Sequence, residues 1–103
     1  MNAVERMWRA LGAREWKRAE AQMHPHAVIE MPASGRRFAT REEYVMHHIA
    51  ASEDRTVHVD LVVHEVKQVA MKVTITTGAR VEHGACFYEL QEGRIARGSE
   101  IWA

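Results

Sequence analysis

The feature that most constrains this chain is a change of hydrophobic period at Thr56. Downstream of it, apolar residues fall at alternate positions. TVHVDLVVHEV (56–66) sets Val57, Val59, Leu61 and Val63 against His58, Asp60, Val62 and His64. VAMKVTITT (69–77) sets Val69, Met71, Val73 and Ile75 against Ala70, Lys72, Thr74 and Thr76. A period of two is that of a strand with one buried face. Gly78 marks a turn, a third strand covers roughly 80–91, and QEGR reads as a hairpin turn. The closing GRIARGSEIWA places Ala96, Gly98, Glu100 and Trp102 on one face, and Ile95, Arg97, Ser99 and Ile101 on the other.

Upstream the period is helical. Residues 2–11 stack Val4, Met7, Trp8 and Leu11, with Gly12 as a stop. Residues 15–23 form a second helical run, with Trp16, Ala19 and Met23 on one side, closed by Pro25. AVIEM (27–31) reads as a short strand stopped by Pro32, and ASGRR as a turn-rich connection. Thr40 is placed to cap a third helix through EEYVMHHIAA, with Glu42 and Glu43 in its first turn. The order is helix, helix, strand, helix and four strands. It predicts one α+β domain over residues 1–103, three helices packed on one face of a mostly antiparallel sheet.

Composition narrows the partners. Fourteen basic and fourteen acidic residues cancel and no basic stripe appears, so nucleic acid is not expected. No apolar run reaches the ~18 residues of a membrane span, and MNAVERMW lacks a signal-peptide core. Cys86 is the only cysteine, which suits a reducing cytoplasm. His58 and His64 share a strand face about 20 Å apart, and His47 and His48 point apart on a helix. No metal-ligand spacing appears, and neither metal nor cofactor is expected.

Three stretches carry a resemblance: RALGAREWKRAEAQMHPHAVIEMP, FATREEYVMHH and FYELQEGRIARGSEIW. In order and spacing they resemble the NTF2-like superfamily, the cone-shaped α+β barrels that include SnoaL-like polyketide cyclases and ketosteroid isomerases. The resemblance implies a sheet curled around an internal cavity. Met7, Leu11 and Ile29 would face inward, with Met31, Tyr44 and His47. From the last strands Cys86, Tyr88 and Leu90 would join them, with Gly98, Glu100 and Trp102. It also implies a homodimer through the outer sheet face, where His58, Asp60, Val62, His64, Lys72, Thr74, Thr76, Phe87 and Glu89 would lie.

Ketosteroid isomerase chemistry needs a carboxylate base, a tyrosine and a protonated acid. Laid on this sequence, those roles fall at Met31, Met7 and Cys86, which cannot fill them, so that activity is not expected. The SnoaL-like cyclases carry an aspartate five residues after the isoleucine of the glycine turn. Here Ile95 leads to Glu100, while Gly98 and Ser99 replace the histidine and tryptophan before the acid. The resemblance therefore implies Glu100 as a proton-transfer group, with His47 as helper or as packing. Met7, Leu11, Met31, Tyr44, Cys86, Tyr88, Gly98 and Trp102 would surround a small hydrophobic ligand. Small residues near Glu100 would leave that ligand room, and Cys86 reads as a buried structural thiol. Three functions stay open: acid/base chemistry of isomerase, cyclase or dehydratase type; non-catalytic binding of an apolar ligand; and a dimeric interaction domain with a filled interior.

Overall fold

The computed structural model describes residues 1–103. The elements are α1 (Ala3–Gly12), α2 (Trp16–Ala21), β1 (Met23–Met31), β2 (Arg36–Phe38), α3 (Arg41–Ala50), β3 (Arg55–His64), β4 (Gln68–Thr77), β5 (Arg80–Gln91) and β6 (Arg94–Trp102). The strands form one sheet in the order β2-β1-β6-β5-β4-β3. Only the β1–β6 pairing is parallel. The α+β architecture is as the periodicity predicts, and no helix is long and apolar enough to cross a membrane.

Helix α1 starts at a reciprocal cap: Asn2 Oδ1 accepts from the Glu5 amide, and Glu5 Oε1 accepts from the Asn2 amide. Its apolar stripe buries Val4, Met7, Trp8 and Leu11 completely or nearly so. It ends where it touches the sheet, because a Cβ on Gly12 would lie 3.2 Å from Val57 Cβ. Thr40 caps α3 through Glu43 N, as its position before the two glutamates predicts. The core then closes between these helices and the inward residues of β4 and β5: Val69, Met71, Val73, Cys86 and Tyr88.

The structure departs from the sequence reading in four places. Helix α2 ends at Ala21, and β1 already starts at Met23, so Pro25 lies inside a strand. The β1–β6 ladder is irregular between Met23 and Val28, so the missing proline N–H breaks no regular pairing. Second, the residues after the 32–35 turn form β2, which pairs with β1 through Ile29↔Phe38. Three residues are too few to register as a period. Third, Asp60 has no partner between Val59↔Val73 and Leu61↔Lys72. This bulge turns the strand over, so Val62 packs on the core while Leu61 and Val63 are exposed. Val62 is therefore not on the outer face. Fourth, the β5–β6 register shifts between Glu89↔Arg97 and Leu90↔Ile95, and Ile95 is fully buried rather than outward.

Candidate functional site

Strands β5 and β6 pair Cys86 with Glu100 and Gly84 with Trp102, so the inward side chains of both strands share one face. Helix α3 crosses this face with Tyr44 and His48, four residues apart on one side. Glu100 has no exposed surface. Its Oε2 accepts from the Tyr44 hydroxyl at 2.5 Å and from the Tyr88 hydroxyl at 2.6 Å, and its Oε1 accepts from Trp102 Nε1 at 3.2 Å. Trp8 Nε1, from α1, donates to the Tyr88 hydroxyl at 3.1 Å. Three aromatic side chains from three elements thus meet at one carboxylate, and a fourth, Trp8, supports one of them. The Trp102 ring reaches it across Gly84, where a Cβ would lie 2.6 Å from the indole.

Burial pushes the Glu100 carboxyl above its ordinary range, against the three donors, which favour the charged form. Burial, and then the Glu100 charge, hold Tyr44 and Tyr88 well above the usual phenol value, so both remain protonated donors. The same two causes raise the Cys86 thiol, and a thiol that keeps its proton is a poor nucleophile.

A second polar pair lies beside this group. Arg55 Nη1 and His48 Nδ1 are 2.8 Å apart. His48 is 2% exposed and Arg55 9%. The His48 ring packs edge-on to Tyr44 and Trp8, at 4.7 and 5.3 Å between centroids. Burial first, and the Arg55 charge second, hold His48 well below the usual imidazole value. His47 is lowered too, by burial and by Arg36.

Both groups border a cleft of about 590 Å³. Met31, Ile75 and Trp102 give it apolar wall; Arg36, Arg55, Arg80, His47, His48, Glu82 and Glu100 give it polar wall. The arginines make it a poor seat for a cation. A groove of similar size lies on the opposite sheet face, around Val63, Ala70 and Phe87, away from Glu100. The cleft that borders Glu100 is the candidate site, because it joins concavity to buried titratable groups.

The sequence matches the SnoaL-like domain family over residues 4–98. This chain belongs to the SnoaL-like family. No curated protein matches it. Among solved structures, a candidate ketosteroid isomerase from Kribbella flavida superposes with a TM-score of 0.92 at 21% identity, over 98% of this chain and 75% of that one. An LEH-like epoxide hydrolase from M. tuberculosis superposes at 0.78 with 15% identity, over 98% of this chain and 80% of that one. An NTF2-like protein of unknown function from Burkholderia xenovorans gives 0.89 at 16% identity, over 98% and 80%. At these identities the likeness carries the fold.

Within this SnoaL-like chain, the structure brings together Glu100, Tyr44, Tyr88 and Trp102, and sets Met31 in the cleft wall. Met7 and Leu11 do not line the cleft; they are sealed in the core. Gly98 leaves no room for a ligand either. A Cβ there would lie 2.6 Å from Ile29 Cδ1 and 2.7 Å from the Tyr88 ring, so its space is already filled. Cys86 is buried behind the site. His47 is half-buried at the cleft, against Phe38 at 5.0 Å, and makes no hydrogen bond to Glu100. The buried histidine is His48, not His47. Two signals mark the missed pair. His48 follows Tyr44 by four residues, and Arg55 precedes Val57 and Val59 on the inward face of β3.

Proposed function

We propose that this protein performs acid/base chemistry, of isomerase, cyclase or dehydratase type, on a small metabolite held in the cleft, with Glu100 as the proton-transfer group. The observation that carries this reading is the pair of tyrosine hydroxyls on one oxygen of a buried, cleft-bordering carboxylate. A hydroxyl both donates and accepts. While Glu100 is ionised, both phenols donate to it. When it takes a proton, the Tyr44 oxygen can turn acceptor without moving. The site thus suits both protonation states, as a group that cycles between them requires. A carboxyl raised towards neutrality is also better matched to proton transfer than an ordinary one. Activities of proteins with this fold, such as the epoxide hydrolase, keep the reaction class broad.

The test reads Glu100 directly. Carbon-detected NMR of the side-chain carboxyl across pH should place its titration above the ordinary glutamate range, and Tyr44→Phe should raise it further. Titration in or below the ordinary range would overturn the reading. A second reading, a non-catalytic binding domain, is favoured by the complete burial of Glu100. It predicts that Glu100→Gln leaves ligand affinity intact and that no panel of carbonyl compounds exchanges carbon-bound protons for solvent deuterium faster with protein than without.

We further propose that two copies pair through the outer sheet face. Supporting this, Leu61, Val63, Phe87 and Ile101 are 53, 56, 52 and 45% exposed on that face, more apolar surface than a solvated sheet face needs. Sedimentation should give a dimer that Phe87→Glu dissociates without unfolding; a monomer at high concentration would refute it.

A further inference from the structure

His48 and Arg55 are left incomplete by their own pairing. A guanidinium only donates, so His48 Nδ1 must be the acceptor of the 2.8 Å bond from Arg55 Nη1. An imidazole that accepts at Nδ1 is neutral and carries its proton on Nε2. That Nε2–H and Arg55 Nη2 are both buried, and neither has a hydrogen-bond partner. Buried donors without acceptors are uncommon in folded proteins, and each is costly. Arg55 also lacks a carboxylate partner, as does Arg36 at the same cleft, whose guanidinium lies 5.0 Å over the Phe38 ring. Arg80, by contrast, is paired with Glu82 at 3.2 Å. The cleft therefore holds two arginines outside any ion pair and two unused buried donors, next to the apolar surface of Met31, Ile75 and Trp102.

We infer that the cleft takes an anionic ligand, a carboxylate borne on an otherwise apolar metabolite, with its oxygens on Arg55 Nη2 and His48 Nε2 and with Arg36 at the entrance. This deepens the reading of the cleft as the site of Glu100 chemistry and rests on it. The anion fills both empty donor positions without breaking a bond inside the protein. Both nitrogens are buried, on residues that line the cleft, so docking requires a side-chain shift in the wall. Arg55 and Glu100 face the ligand as opposite charges. The head group is drawn to the Arg55 side and repelled from the carboxylate, which leaves the apolar body beside Glu100. A neutral ligand of the same shape gains none of this.

Benzoate and its neutral counterpart benzamide make the test, titrated by calorimetry and by chemical-shift mapping into the intact protein. Benzoate should bind at least about tenfold more tightly than benzamide and should move the His48 and Arg55 signals. Arg36→Gln, at an exposed position, should weaken benzoate several-fold and leave benzamide unchanged. Arg55→Lys, which keeps the charge but cannot serve both His48 and the ligand, should weaken it further. Equal affinity for benzoate and benzamide, no benzoate binding at millimolar concentration, or folded Arg36→Gln and Arg55→Lys proteins with unchanged affinity would each overturn the inference. Inorganic phosphate binding as tightly as benzoate would overturn the apolar-carboxylate assignment. Glu100→Gln separates the two proposals, because it should bind benzoate at least as well as wild type. Benzoate binding with an ordinary Glu100 titration defeats only the acid/base reading. A raised Glu100 titration without benzoate binding defeats only this one.

Discussion

Replacing Tyr88 by Phe removes one oxygen that serves two partners. The hydroxyl donates to Glu100 at 2.6 Å and accepts from Trp8 Nε1 at 3.1 Å. Losing a hydrogen bond to a charged group costs about 1.5–3 kcal/mol. The second loss leaves the Trp8 indole N–H, fully buried, with no acceptor, which adds about 1–3 kcal/mol. Tyr44→Phe supplies the internal control. It removes a bond of similar length to the same Glu100 oxygen but strands no other donor. Tyr88→Phe should therefore cost about 1–3 kcal/mol more than Tyr44→Phe. In a domain of this size that is roughly 4–8 °C of Tm per kcal/mol. Urea denaturation of the three proteins at one common pH gives the comparison, with equal m values as the check that the unfolding reaction is unchanged. A Trp8→Phe, Tyr88→Phe cycle should show coupling of about 1 kcal/mol. If both single phenol deletions cost the same, or the cycle shows no coupling, Tyr88 does not tie α1 to Glu100 and the connected network is wrong.

Gly98→Ala should destabilise by about 1–3 kcal/mol through overpacking, because its Cβ would press on Ile29 and Tyr88; an unchanged Tm would mean open space there after all. Deleting Asp60, which has no partner in the β3–β4 ladder, should regularise the strand and keep Val62 inward, so circular dichroism and Tm should suffer less than from deleting Val62. Glu100→Gln should change the pH dependence of stability. A folded pKa above the unfolded one gives a contribution that is complete below the unfolded pKa and lost as pH rises through the folded pKa, so the Gln variant should gain on wild type as pH rises through that window. A gain for wild type instead would mean that the donors outweigh burial.

The fold was legible because burial imposes a period, and it was misread where an element escapes the period. Val69, Met71, Val73 and Ile75 alternate without interruption, and all four are buried. Asp60 shows the opposite case: one unpaired residue reverses every side chain after it, so strict alternation puts Val62 outward and Leu61 and Val63 inward, the reverse of the structure. The bulge leaves no trace in residue type, because the sequence on either side of it is equally rich in valine. Strand β2 is too short to show alternation at all. At the site, the family resemblance points to Glu100 by its spacing from Ile95 and to Tyr44, while Tyr88 also shares a strand face with Cys86 and Leu90. Both adjacent histidines border the cleft, and only the packing of α3 decides that His48 is the one buried against Tyr44. The cleft's arginines were missed for a different reason. Arg36, Arg55 and Arg80 belong to β2, β3 and β5, and only the curl of the sheet brings them together.

That convergence sets two kinds of buried polar group on one cleft, and they differ in how complete they are. Glu100 accepts from three donors, and each of these is anchored in the core. Such a group is held in place and is costly to move. Arg55 and His48 satisfy one another once and each retains an unused donor. Tyr44 joins them, with its hydroxyl on Glu100 and its ring 4.7 Å from His48. A shift of His48 towards a bound anion would therefore disturb the packing of the ring whose hydroxyl fixes the carboxylate. The direction of that coupling can be read. If anion binding draws His48 away and loosens the Tyr44 bond, one of the three donors favouring the charged form weakens, and the Glu100 titration should move up when benzoate is bound. The anion's own negative charge acts in the same direction. NMR titration of Glu100 with and without saturating benzoate measures the sum, and Tyr44→Phe removes the first contribution while leaving the second. An upward shift of equal size in both proteins would assign the effect to charge alone. A smaller shift in Tyr44→Phe would show that the ligand reaches Glu100 through α3. A downward shift would refute the arrangement, because nothing else at this cleft turns a nearby anion into support for a carboxylate.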